Sequence, residues 1–131
     1  MPAPNRSSMF QNTAYALLRA VCGLCFSLHG MQKLFGLFGG TRPSVLSQLW
    51  FGGIIELSCG LAMALGLATR WAALLASGTM AVAYLQFHWK LRLGAAFLPL
   101  VNKGELALVY CFLFLYFAAR GNGAFCLGKR G

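Results

Sequence analysis

The chain has 131 residues, is 59% hydrophobic and 10% charged, and has a mean hydropathy of +0.68. A soluble domain of this size has too much surface for its volume to hide so much apolar material, so apolar stretches of about twenty residues are read as membrane-spanning helices. The formal charge of +9 comes from Lys and Arg placed mainly near the ends of the apolar runs, where they reach toward headgroups. That scatter excludes a nucleic-acid-binding stripe and makes membrane lipid the expected partner.

Residues 1–12 read as polar and irregular, with Pro2 and Pro4. The apolar run behind them exceeds a signal-peptide core, so a retained first helix is expected. Four spans follow, at roughly 13–38, 48–68, 71–90 and 104–119, with Thr69-Arg70 as a short turn and Arg120-Gly121-Asn122-Gly123 as a stop signal. Strict alternation is absent, which argues against a barrel. Short connections make neighbouring helices antiparallel. The expected fold is all-α: a single domain over 1–131, an integral-membrane antiparallel four-helix bundle.

Trp50, Trp71 and Trp89 fall near span ends, as interfacial aromatics do. Gly52, Gly53, Gly60, Ala62, Gly66, Ala72, Ala73, Ala76 and Ser77 are read as packing residues that let helices approach in lipid. Residues 93–103 are apolar but too short and broken to span, and are read as a lid over the bundle's end or an interfacial loop. The five cysteines lie mostly inside helices, which excludes an extracellular disulfide framework. Cys22-Gly23-Leu24-Cys25 could be a redox pair, but its place in mid-span favours packing.

The chain's two acidic residues are Glu56, inside the second apolar run, and Glu105, opening the last. A carboxylate at hydrocarbon depth is costly unless paired or protonated, which marks a site. Antiparallel threading sharpens this. His29 and Lys33 lie late in the first span and Glu56 roughly 12 Å into the second. His88 and Lys90 end the third, and Asn102 and Glu105 begin the fourth. All belong to one end of the bundle. Lys33 is the natural counter-ion of Glu56, and Glu105 is expected near Lys103 or Lys90. His29, Glu56, His88 and Glu105 are therefore the candidate proton-handling residues, with Lys33, Lys90 and Asn102 as candidate binding residues. No Glu-x-x-His pair accompanies them, so no metal is assigned.

Several stretches carry a family resemblance. Leu17-Leu18-Arg19 followed by Leu28-His29-Gly30-Met31-Gln32-Lys33-Leu34-Phe35-Gly36 resembles the opening signature of the DoxX family. Glu56 in a Gly-rich span, Leu67-Ala68-Thr69-Arg70-Trp71-Ala72-Ala73, and His88 closing the third span are similar to it as well. So are Phe97-Leu98-Pro99 and Asn102-Lys103-Gly104-Glu105-Leu106-Ala107, extending the resemblance over about 17–127. It implies a four-helix bacterial inner-membrane protein. Family members include a small subunit associated with thiosulfate:quinone oxidoreductase, and others linked to thiol and oxidative-stress handling. The tail departs from the pattern, with Cys126 and neighbouring glycine where Ser and Asp are common.

The resulting expectation is a multi-pass protein of the bacterial cytoplasmic membrane with cytoplasmic termini. It would be a subunit or accessory protein of a quinone-linked redox system, with quinone or quinol as cofactor and a redox protein as partner; a homo-oligomer is compatible with its small-residue faces. The alternatives are a non-catalytic scaffold or assembly factor, or a carrier of a small solute or lipid.

Overall fold

The computed structural model describes residues 5–130; its regular elements are all helical, and the described residues contain no strand. Helix α1 spans Arg6–Phe35, α2 Gln48–Leu65 and α3 Thr69–Ala83; α3 runs directly into a π-helical turn, Tyr84–Trp89. A 3-10 turn, Ala95–Phe97, and the one-turn α4, Pro99–Asn102, lead into α5, Glu105–Arg120. Both α1 and α2 are long and apolar enough to cross a membrane. The continuous helical stretch 69–89 reaches about 30 Å.

Local chemistry moves some expected boundaries. The polar N-terminal segment is helical from Arg6, because the Asn5 side chain accepts from Ser7 N and caps the helix; residues 1–4, with both prolines, lie outside the described residues. Gly36 and Gly66, both left-handed, close α1 and α2. Thr69 and Arg70, expected as the turn, instead begin α3, and the turn is 66–68. The signal for that start is remote in sequence: Asn122 Oδ1 accepts from Thr69 N at 2.9 Å.

Packing is uneven. The pairs α1–α2 and α3–α5 are each closely joined, and α2–α3 much less so. Glycines explain the first pair: a Cβ on Gly30 would collide with the Leu57 and Gly53 backbone, so this face of α1 meets α2 main chain to main chain. The core between the pairs is aromatic. Phe26 of α1 packs on Phe114 of α5 with ring centroids 4.7 Å apart, and Tyr110 stacks on Phe114 at 4.9 Å. Ser77 Oγ donates to Cys111 O at 2.7 Å, tying α3 to α5.

At the terminal end the tail folds back under the helices. Leu127 N donates to Leu65 O at 3.0 Å and Gly128 N to Gly66 O at 3.1 Å. Arg19, 1% exposed, anchors it. Its guanidinium donates to Met63 O at 2.9 Å, to Phe125 O at 2.8 Å, and to the carbonyls of Asn122 and Ala124. Outside this scaffold, Leu17, Leu24, Leu61, Leu75, Val109 and Phe112 are all exposed.

Candidate functional site

The close α1–α2 seam sets Lys33 against Glu56. Their Nζ and Oε1 lie 2.5 Å apart, the one ion pair among the described residues. Glu56 is 3% exposed, and its second oxygen, Oε2, is buried with no hydrogen-bond partner. A buried carboxylate oxygen without a donor is costly, and the rest of the site lies around it.

Two cavities meet at this pair. A groove of about 950 Å³ follows the looser α2–α3 contact, from Gln48, Lys33, Glu56 and His88 at one end to Trp71 at the other. Along α3 that is on the order of 25 Å. Its walls between those ends are almost wholly apolar, including Phe51, Ile55, Leu74, Leu75 and Val82. Gly52 and Gly78 line it, and a Cβ on either would meet nothing within 4 Å. Gly52, expected as a packing residue, therefore leaves groove space instead. A second chamber of about 280 Å³ lies on the inner side, lined by His29, Lys33, Glu56, His88 and Lys103 together with Phe26, Met80 and Tyr110. Lys33, Glu56, Met80, Ala83 and His88 border both spaces.

His88 sits on the π turn, whose signature is the bond from Lys90 N to Leu85 O at 3.0 Å. Such turns recur at functional sites because they re-aim side chains out of the α register. Residues 95–103, within the segment expected as a lid or an interfacial loop, are fastened beside the π turn by Tyr84 and Asn102. Tyr84 OH donates to Phe97 O at 2.8 Å; Asn102 Nδ2 donates to Ala96 O at 2.9 Å and to Tyr84 OH at 3.2 Å. Asn102 Oδ1 accepts from Gly104 N at 2.8 Å, and His88 Nδ1 lies 3.4 Å from Asn102 O.

Of the residues expected at the site, the fold brings together His29, Lys33, Glu56 and His88, with Asn102 holding residues 95–103 beside them. Lys90 and Glu105 are exposed and line neither cavity. Lys90 ends the π turn with a left-handed backbone, and Glu105 opens α5, where a negative charge suits the helix N-terminus; among the described residues Glu105 forms an ion pair with neither Lys103 nor Lys90. Sequence reasoning passed over Lys103 as a chamber residue, and Gly52 and Gly78 as the groove floor. A glycine in an apolar helix is the same signal whether it meets a neighbour or empty space. Among the described residues, no three His, Cys, Asp or Glu side chains are grouped to hold a metal. The cysteines are unpaired thiols, Cys22 and Cys25 included.

These features define a class: a small all-helical protein with a buried carboxylate–lysine pair between an outward-facing apolar groove and an inner chamber rich in basic side chains. Comparison with known proteins gives the family. A DoxX family model matches residues 14–89. An uncharacterized protein of Haemophilus influenzae is 40% identical over 119 residues, covering 88% of each chain. No solved structure matches. The chain belongs to the DoxX family.

Proposed function

We propose that the protein is a four-span subunit or accessory protein of the bacterial cytoplasmic membrane, with both termini on the cytoplasmic side, serving a quinone-linked redox system. Support for the membrane placement comes from α1, α2 and the exposed apolar belt, an outer surface that water would not tolerate over such an extent. With Lys33 taken up by Glu56, the six basic residues at the terminal end (Arg6, Arg19, Arg70, Arg120, Lys129 and Arg130) against Arg42, Lys90, Arg92 and Lys103 at the other favour this orientation by a small margin.

The observation that carries the site is Glu56 Oε2, buried and unpartnered where the groove ends. Lys33 holds Oε1, which leaves Oε2 as the oxygen available to a bound group. The groove suits a long apolar tail, and the Lys33–Glu56–His88 end suits a carbonyl-bearing head, which is the shape and polarity of a quinone. When bound, a quinone supplies two-electron, two-proton chemistry. In this reading Lys33 and His88 would orient the head, and Glu56 Oε2 would be the protein atom at which a proton is held or released beside it. His29 and His88 line the chamber through which those protons reach the bundle's end. Electrons come from a partner protein that carries a redox centre.

The test is mass spectrometry of an organic extract of detergent-purified protein, wild type against Glu56→Gln. Stoichiometric quinone in the wild type and its loss in the variant is the expected result. Phospholipid alone in both would sink the quinone reading in favour of a non-catalytic scaffold. A different lipophilic molecule lost from the variant would point to a carrier.

A further inference from the structure

The far end of the molecule from Glu56 carries its own cluster of charge. A cavity of about 380 Å³ is lined there by Asn12, Arg120, Gly123, Ala124 and Arg130. Arg120 is positioned: Nη2 donates to Asn12 Oδ1 at 2.9 Å, and the guanidinium lies over the Tyr15 ring at 5.0 Å. Among the described residues that is its one hydrogen bond, so most of the five donors of this planar fork have no protein acceptor. Beneath the cavity wall lies Arg19. Its donors are taken up by carbonyls, Ala124 O among them, but its charge is neutralised by no carboxylate. A cation so deeply buried projects its field further than an exposed one.

Among the described residues, no acidic side chain balances this end. Glu56 is paired with Lys33, and Glu105 lies a whole helix away from Arg120, about 22 Å along α5. The depth is also defined. Asn12 immediately precedes the first apolar run and Arg120 closes the last; exposed Tyr116, edge-on to the buried Tyr15 with centroids 5.8 Å apart, sits one turn inside Arg120 as interfacial aromatics do. Lipid phosphates occupy this level of a bilayer. Tyr116, exposed one turn before Arg120 on the same side of α5, gives an acyl chain an apolar flank that a free phosphate would not need.

We propose that Arg120 and Arg130, set above the buried charge of Arg19, form a site for the phosphate of an anionic phospholipid headgroup. Guanidinium forks match phosphate oxygens in pairs, and basic pockets between helices at the cytoplasmic face are where anionic lipids are held. The site rests on the membrane placement and orientation proposed above, but it lies at the opposite end from the quinone pocket and is tested separately from it.

The experiment uses the full chain in phosphatidylcholine nanodiscs, titrated with phosphatidylglycerol, with retained lipid counted by native mass spectrometry. Wild type should retain phosphatidylglycerol selectively. Arg120→Gln with Arg130→Gln should weaken that retention by about fivefold per charge removed, roughly thirtyfold together. Arg92→Gln, an exposed charge at the other end, should leave it within about twofold. Helical circular dichroism checks each variant's fold, and Arg120→Lys, which keeps the charge but loses the fork, should fall between wild type and double variant. Equal loss in Arg92→Gln and the double variant would overturn the site in favour of diffuse surface charge. Competition by millimolar inorganic phosphate with undiminished affinity would overturn the lipid as its occupant.

Discussion

Gly23 and Gly60 meet backbone to backbone: a Cβ built on either would lie 2.6 Å from the carbonyl oxygen of the other. This contact brings α1 against α2 and allows Lys33, farther along α1, to reach Glu56. Gly60→Val should therefore force the helices apart and lower stability by about 1–3 kcal/mol or more, read as thermal unfolding in detergent. Gly52→Ala, which faces open space, should be neutral or slightly stabilising. Equal destabilisation by both would contradict the close seam.

Glu56 and Lys33 should behave as a coupled pair. Lys33→Met alone leaves a carboxylate buried without its cation, with an expected loss of about 3–5 kcal/mol. Lys33→Met combined with Glu56→Gln should recover most of that loss, because no buried charge is left uncompensated. A double-mutant cycle on unfolding midpoints measures the coupling; simple additivity would show that the pair is not energetically joined.

Filling the groove should separate ligand binding from folding. Gly78→Leu places a side chain in space that is empty on the α2–α3 face. It should remove co-purifying quinone while leaving the unfolding midpoint within about 1 kcal/mol of wild type. Glu105→Gln, at an exposed position outside both cavities, should retain quinone as wild type does. Retention in Gly78→Leu would mean that the tail does not lie in this groove.

Arg19 fastens the tail to α2 through four carbonyls, one on α2 and three on the tail. Arg19→Met should strand those buried acceptors, at about 1–3 kcal/mol for each left unsatisfied, and expose the tail to limited proteolysis beyond Gly121. Arg19→Lys should not restore protection, because an ammonium cannot span the same acceptors. An intact tail in both variants would assign the anchoring to Asn122 and the 127–128 backbone bonds instead.

Releasing residues 95–103 tests the other end. Asn102→Ala removes bonds to Ala96, Tyr84 and Gly104 at once. Amide exchange over 95–103 should accelerate, with global stability reduced by about 1–2 kcal/mol. Unchanged exchange would mean that the Tyr84 OH bond to Phe97 O holds the segment without it.

Much of the architecture is written locally. Apolar runs and the scarcity of acids identify four helices and single out Glu56, because burying a carboxylate in an apolar helix has no local compensation; the left-handed stops at Gly36 and Gly66, short of the expected span ends, are seen only in the structure. The pairing of Lys33 with Glu56 also follows from connectivity, since a short link between antiparallel helices leaves few cations within reach. The start of α3 does not, because its cap is Asn122, far along the chain. Nor does the fate of Glu105 and Lys90: sequence places them at the right end, but only the rotation of α5 and the left-handed end of the π turn decide that they face outward. The glycines divide in the same way. Gly23, Gly30, Gly53 and Gly60 join helices, while Gly52 and Gly78 open a groove, because one missing side chain can admit either a neighbouring backbone or a ligand, and only tertiary packing selects which.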